Sequence, residues 1–526
     1  MRYWTFTASF LVSLRLTEAL SLKTSEAIVD LGYAKYEGNV TYPKAVAYLG
    51  IPYAEPPVGD HRYRAPAPLN ATRVRRETMG KRWMQRRTRF LAFKVPWQVC
   101  SEILLGWALR LIDALFVGGA GGAGSEDCLK VNVYAPLGAK KGQKLPVIVY
   151  FRGGAFVWGS AATTPFDHWV QQVPDVVAVA VYYRLDSFGF LPHPTDDSSL
   201  ADHNVDSFIK RRLCDRFNGI SMHLEVIPVV SPSIGRVLVG LRLSTISSLR
   251  ITTTCSMLLL LNQFIVFLSG LWISRRFCPY INQSARFPLQ CTLRWFPLFP
   301  RRQSHYRVSY DCHQRRFRRV PLIVGATSNE TLSDEGSSIS AALKTFFPAL
   351  TDSDIAELEQ RHPASDCTTF DQQFRAATGE SELLCAREIM GGAFAKETDV
   401  FIYRFNQPNP TMGVSTVDHA ADDYFLFRGS NPGFNGTATF TPLSPTEESF
   451  AEKLVAYWTS FVRTGDPNIH KLARSPVWPQ FTSQDQMRIV LQEGSVSKSG
   501  NFVEAEPEAQ SNRCALIARK ALAEQN

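Results

Sequence analysis

Residues 229–240, VVSPSIGRVLVG, run like a buried strand into a turn that carries a serine two places before a glycine. A serine hydroxyl becomes a working nucleophile when a tight strand-to-helix turn of pattern G-x-S-x-G exposes it and a base takes its proton. Here Ser231 stands where the first glycine belongs, which leaves Ser233 as a nucleophile candidate in an altered turn. Serine lacks glycine's backbone freedom at such a strained position. A second stretch, VYFRGGAFVWGS (149–160), leaves an apolar run at Gly153-Gly154. Adjacent glycines let the chain turn sharply and bring N–H groups close to a substrate carbonyl, where they stabilise the charge of a tetrahedral intermediate. Both stretches point to acyl transfer. No Cys-x-x-Cys or Cys/His spacing suggests zinc, and no metal or organic cofactor is implied.

Chemistry of this kind needs a sheet to hold its turns. LKVNVYAP (129–136), LPVIVYF (145–151) and VVAVAVYYR (176–184) are β-branched runs without polar alternation, as expected for strands covered on both faces. Residues 25–72 alternate short apolar runs with Pro and Gly clusters and predict a small N-terminal sheet. Residues 340–400 and 446–464 carry helical patterns; Phe450, Leu454, Tyr457, Trp458 and Phe461 recur at helical spacing as a core stripe. Strands mixed with helices predict an α/β architecture.

Composition is ordinary for a globular chain of 526 residues, with 45% hydrophobic and 20% charged side chains. The net charge of +9 is unevenly spread. Residues 71–94 are net +8 and residues 207–319 net +15, leaving the remainder of the chain 14 units negative. The excess lies in two stretches without clear periodicity, so it predicts no nucleic-acid face. Residues 1–21 read as a secretory signal, with Arg2, an apolar run and small residues near Ala19 and Ser21. The sequons at Asn39, Asn70, Asn282, Asn329 and Asn435 fit a secreted glycoprotein. In such a chain Cys367–Cys385 is a disulfide candidate and Cys100–Cys128 a second. The apolar run 257–273 is 17 residues long and contains Asn262 and Gln263, so no membrane span is expected there.

Taken together, LGIPYAEPPVGDHRYRAP (49–66), SEDCLKVNVYAP (125–136), RGGAFVWGS (152–160) and VAVAVYYRLDSFGFL (177–191) resemble the type-B carboxylesterases, a family of secreted lipases, esterases and cholinesterases. VPLIVGATSNE (320–330), VDHAADDYFLF (417–427), and FVRTGDPN with WPQF (461–468, 478–481) extend the resemblance. It covers 25–72, 125–205 and 320–490 in order. It implies an α/β-hydrolase fold with a central, mostly parallel sheet, as one domain over 22–526 interrupted by the anomalous segments 73–120 and 207–319. It also implies hydrolysis of small-molecule or lipid esters through a serine acyl-enzyme. By motif, His419 would be the base and Glu330 the acid that orients it, with Glu335 a competing placement. The N–H groups of Gly154 and Ala155 would be the oxyanion donors, and Phe156 and Trp158 would line the acyl pocket. Cys128 matches a family half-cystine. The alternative reading is a carboxylesterase-like protein that binds partners without catalysis.

The family's nucleophile should fall near residue 233, inside the basic stretch. Residues 206–242, back-translated and shifted by one nucleotide, permit a string containing AFGGDP, RVTV and (E/Q)SAGGSS in order. These are the family's turn, strand and serine elbow. On this reading the serine is encoded across Arg236 and Val237 and is absent from the chain, Ser233 is incidental, and the chain has no esterase activity. The same reading predicts that the sheet strands flanking 207–319 are left unpaired.

Overall fold

The computed structural model describes residues 27–78, 124–140, 143–154, 159–190, 224–231, 236–243, 319–333, 338–432 and 438–524. Of the sequence candidates, Cys100, Ala155, Phe156, Trp158, Ser233 and Glu335 lie outside these residues, as do the signal segment and 257–273.

β-Branched runs do form the centre of the molecule. Strand β6 (Val147–Phe151) is buried at every position, and its side chains alternate between two cores as a pleated strand requires. Val147, Val149 and Phe151 enter one core with Leu322, Val324, Val400 and Ile402. Ile148 and Tyr150 enter the other with Phe401, Tyr403 and Trp478. Beside β6 run β7 (Val177–Val181), in parallel, and then β5 (Lys130–Pro136), β4 (Ala45–Pro52) and β3 (Asn39–Tyr42), each antiparallel to the one before. On the far side β8 (Leu224–Ser231), β10 (Leu322–Thr327), β11 (Val400–Phe405) and β14 (Met487–Leu491) form a parallel series closed by antiparallel β15 (Phe502–Ala505). Strand β9 (Arg236–Leu243) joins the halves, antiparallel to both β8 and β6. The result is an eleven-stranded sheet in the order β15-β14-β11-β10-β8-β9-β6-β7-β5-β4-β3. Two reversals across β9 cancel, so β6, β7, β8, β10, β11 and β14 all point the same way. The small N-terminal sheet is the hairpin of β1 (Ile28–Asp30) and β2 (Lys35–Glu37). A further hairpin pairs β12 (Ser430–Pro432) with β13 (Ala438–Phe440).

Helices cover both faces. Helix α5 (Pro445–Thr464) begins with a capping box between Ser444 and Glu447, carries a proline in its first turn, and ends at left-handed Gly465. Its predicted stripe of Phe450, Leu454, Tyr457, Trp458 and Phe461 is buried in the second core, beside Phe166 and Trp169 from α1 (Asp167–Gln172) and its approach. Helix α2 (Phe370–Gly379) continues through a π turn (Glu380–Leu384) into α3 (Cys385–Phe394), which sends Met390 and Phe394 into the first core. Two further helices are α4 (Ala421–Leu426), short and wholly buried, and the longer C-terminal α6 (Glu508–Glu524).

Two expectations are corrected. Cys385 bonds Cys514, not Cys367, tying the start of α3 to α6 with a Cα–Cα distance of 4.9 Å across 129 residues of chain. Cys367 is a free, half-buried thiol. The strands flanking 207–319 are also not left unpaired: β8 and β9, both from that stretch, fill the gap between β10 and β6. They do so as a hairpin, with Ser231 opposite Arg236, and with Pro228 in the ladder's interior opposite Val239. A proline there has no N–H to donate.

Candidate active site

Parallel strands end at one edge of a sheet, and that edge is where an open α/β sheet gathers its functional loops. Here the turn after β6 (Gly153, Gly154), the end of β8 (Ser231) and the turn after β10 (Ser328–Glu330) all emerge on that edge. The loop carrying His419 follows β11, whose C-terminal end lies there too.

Glu330 and His419 are 89 residues apart in sequence, and backbone pairing between their loops brings them together. Asn329 N–H donates to Val417 O at 3.1 Å, and Val417 N–H donates back to Asn329 Oδ1 at 2.9 Å. The preceding Ser328 is fixed on the neighbouring strand, its N–H donating to Phe405 O at 3.0 Å and its hydroxyl bonding Asn406 Oδ1 at 2.6 Å. Glu330 follows Asn329 directly, and His419 lies two residues past Val417. Glu330 is fully buried and accepts the Thr327 N–H on Oε1 at 3.0 Å and the imidazole on Oε2 at 2.8 Å. A carboxylate on Nδ1 selects the tautomer with hydrogen there and leaves Nε2 with a lone pair free to accept a proton. His419 is 28% exposed, so the imidazole is held on its inner side and open on its outer side.

Asp418, next to His419, accepts Arg375 Nη1 at 2.9 Å, while Arg375 Nε bonds Asp371 one turn earlier on α2. Ala420, on the other side, takes the left-handed conformation at φ 71°, which starts α4 immediately after the histidine. The carboxamide oxygen of Asn329, a sequon candidate, is the atom that accepts the Val417 N–H.

The turn after β6 has the backbone its glycines allow. Gly154 sits at φ 127°, a conformation that favours glycine. Arg152 is buried under the turn: its Nε donates to Thr163 Oγ1 at 3.0 Å and its Nη1 to Gly153 O at 2.6 Å. The Arg152 carbonyl in turn accepts the Tyr183 hydroxyl at 2.5 Å. Burial pulls the guanidinium below its usual range. A Cβ on Gly159 would fall 1.0 Å from Arg152 Nη1, so the guanidinium occupies room that only glycine at 159 leaves.

Ser231 and Arg236 are antiparallel partners, so the next described element after β8 is a strand, where a nucleophile elbow leads from strand to helix.

Sequence reasoning missed the residues beneath the pair. Thr378, Gly379 and Glu382 meet the Glu330 loop from α2 and the π turn, and Arg375 meets the His419 loop. Their only sequence signal is polar and small residues at i, i+3, i+4 and i+7 in RAATGESE (375–382). Among the described residues, no group of three or more His, Cys, Asp or Glu could hold a metal ion, and no helix is long and apolar enough to cross a membrane.

The chain is similar to known proteins along most of its length. It is 26% identical over 500 residues to carboxylesterase 5A of Felis catus, covering 84% of this chain and 85% of that one. It is 35% identical over 190 residues to lipase 5 of Diutina rugosa, about a third of each chain. Its fold matches the crystal structure of Aspergillus niger EstA with a TM-score of 0.65 at 20% identity, over 95% of this chain and 99% of that one. The fold is therefore that of the α/β-hydrolases, with β9 as its local departure. The pattern of the carboxylesterase family matches residues 25–205 and 312–510, the second of which holds both Glu330 and His419, and breaks across most of the basic stretch between the two segments. On that match the chain belongs to the carboxylesterase family.

Proposed function

We propose that this scaffold serves carboxylic ester hydrolysis through a serine acyl-enzyme, with His419 as general base and Glu330 as the residue that orients it. The observation that carries the reading is the 2.8 Å bond from a partly exposed imidazole to a fully buried carboxylate. In the acylation step the serine oxygen attacks the ester carbonyl while Nε2 takes its proton, and the Glu330 carboxylate stabilises the resulting imidazolium. The same proton then passes to the departing alcohol. Deacylation repeats the sequence with water as nucleophile. Backbone N–H groups at Gly154 and Ala155 would receive the negative charge on the carbonyl oxygen. Small-molecule esters are the substrate class, and lipid esters fall within it.

We further propose that the chain lacks the nucleophile itself. Three observations support this: the family pattern breaks across the basic stretch, Ser231 and Arg236 pair in a hairpin, and Pro228 interrupts a central strand. A coding region read one base out of frame accounts for all three. The signal-like residues 1–21 and the Cys385–Cys514 disulfide favour a secreted protein, because such bonds persist in oxidising compartments.

The hairpin equally favours a second reading, a carboxylesterase-like protein that binds without catalysis. A fluorophosphonate probe separates the two, since it labels only an activated serine. The proposal predicts no labelling of this chain and stoichiometric labelling after frame correction across 206–242. Failure of the corrected chain to label would establish the non-catalytic reading, and labelling of the uncorrected chain at Ser233 would overturn the missing nucleophile.

A further inference from the structure

One helical face touches both loops that carry the acid–base pair. Arg375, Thr378, Gly379 and Glu382 follow one another at i, i+3, i+4 and i+7, the spacing that places residues along one side of a helix. Arg375 holds Asp418, beside His419. The Thr378 hydroxyl donates to Phe374 O at 2.7 Å and meets the Thr331 hydroxyl at 2.8 Å. Gly379 lies against the Glu330 main chain so closely that a Cβ would fall 1.7 Å from Glu330 O. Glu382 closes the row: it accepts Leu332 N–H on Oε2 at 2.5 Å and the Ser333 hydroxyl on Oε1.

Glu382 is fully buried, yet the pair's hydrogen-bonding scheme does not contain it. Glu380, two positions earlier, points elsewhere, to His362 at 2.9 Å and to Arg513 at 2.6 Å. The π turn that contains both carboxyls thus separates them, one toward the C-terminal helix and one toward the candidate site. Single π turns are rare and concentrate at functional sites. Burial pushes the Glu382 carboxyl up to about 7, against the hydrogen bonds it accepts and the charge of His419 nearby.

We propose that Glu382 is a positioning residue: by anchoring residues 331–333 to the π turn, it fixes where Glu330 presents its carboxylate to His419. The proposal rests on reading Glu330 and His419 as the acid–base pair. The hydrogen bonds of Glu382 go to residues 331–333 and not to the imidazole, so it acts through the Glu330 loop. Without it the loop keeps the Thr331–Thr378 hydrogen bond and the packing of Gly379 on Glu330 but loses its hold on residues 332–333, and Glu330 Oε2 loses its register with Nδ1.

The test uses the full chain labelled with 15N-histidine and needs no ester turnover. A histidine whose Nδ1–H is held by a buried carboxylate gives a low-field proton resonance, assigned here by its disappearance in His419→Gln. Glu382→Ala is expected to broaden the resonance beyond detection. Glu382→Gln keeps an acceptor for Leu332 N–H and a partner for the Ser333 hydroxyl, and is expected to retain it. An unmoved resonance in Glu382→Ala, whatever its melting temperature, would show a structural role only and overturn the proposal. If Glu382→Ala does not fold, Ser333→Ala removes one anchor from the loop side; a shifted resonance supports the proposal and an unmoved one overturns it. Absence of the resonance in the unaltered chain would instead refute the Glu330–His419 pair, and the proposal with it. Serine labelling fails or succeeds independently of all these outcomes.

Discussion

Gly379→Ala sets two physical effects against each other with opposite signs. Gly379 has ordinary helical angles, φ −66° and ψ −34°, so alanine is conformationally welcome there. Helix propensity alone makes the variant more stable by about 1 kcal/mol. The close approach argues the other way. An alanine Cβ would lie 1.7 Å from Glu330 O and 2.7 Å from Glu330 C, against backbone that cannot swing aside as a side chain would. Reaching ordinary contact at about 3.4 Å requires the Glu330 segment and the helix to part by about 1.7 Å. Overpacking of this kind costs about 1–3 kcal/mol, and the carboxylate moves with its main chain. Net destabilisation should therefore reach about 0–2 kcal/mol once propensity is subtracted. At about 2.1 cal/mol/K per residue, unfolding this chain has an entropy of about 1.1 kcal/mol/K, so Tm should fall by up to about 2 °C. Displacing a catalytic group by an ångström or more costs about a hundredfold in rate, which p-nitrophenyl ester turnover by the frame-corrected chain would register in kcat. Differential scanning calorimetry reads the first quantity. A rise in Tm with unchanged turnover would show that Glu330 does not depend on this contact, and the reasoning would be refuted.

Burial takes the His168 imidazole down to about 3, although Leu426 O accepts its Nε2–H at 2.8 Å. The folded pKa lies below the unfolded one, so the unfolded state binds the extra proton: this contribution is present above about pH 6.5 and lost as pH falls toward about 3. The slope is about 1.4 kcal/mol per pH unit within that window. Urea midpoints of the unaltered chain should therefore fall more steeply from pH 6.5 to 4.5 than those of His168→Asn; parallel curves would contradict the assignment. Iodoacetamide should alkylate Cys367 in the native, unreduced protein, and peptide mapping should recover Cys385 linked to Cys514; a Cys367–Cys385 peptide would refute that pairing.

Much of this architecture was legible in the residues because its signals are local. A strand buried on both faces must be apolar at every position, as 147–151 are, and a core-facing helix must repeat Phe450, Leu454, Tyr457, Trp458 and Phe461 at helical spacing. Glu330 and His419 were legible through the motifs around them, and the structure brings them into contact. What escaped depends on tertiary approach. Cys385 has Cys367 close in sequence, but the closing of α6 onto α3 supplies Cys514 from 129 residues away. Thr378, Gly379 and Glu382 acquire their meaning only from the loop that faces them. The basic stretch 207–319 gave no periodicity, yet VIPVV (226–230) and VLVG (237–240) hold enough β-branched and apolar residues to pair as a hairpin between waiting strand edges.

That hairpin is where the account is most exposed. Side-by-side assays of p-nitrophenyl ester hydrolysis by the 526-residue chain and by the chain re-read one base over across 206–242 test it directly. Turnover is expected from the re-read chain, with loss in its His419→Gln variant, and none from the chain as it stands. Comparable turnover by both would contradict it.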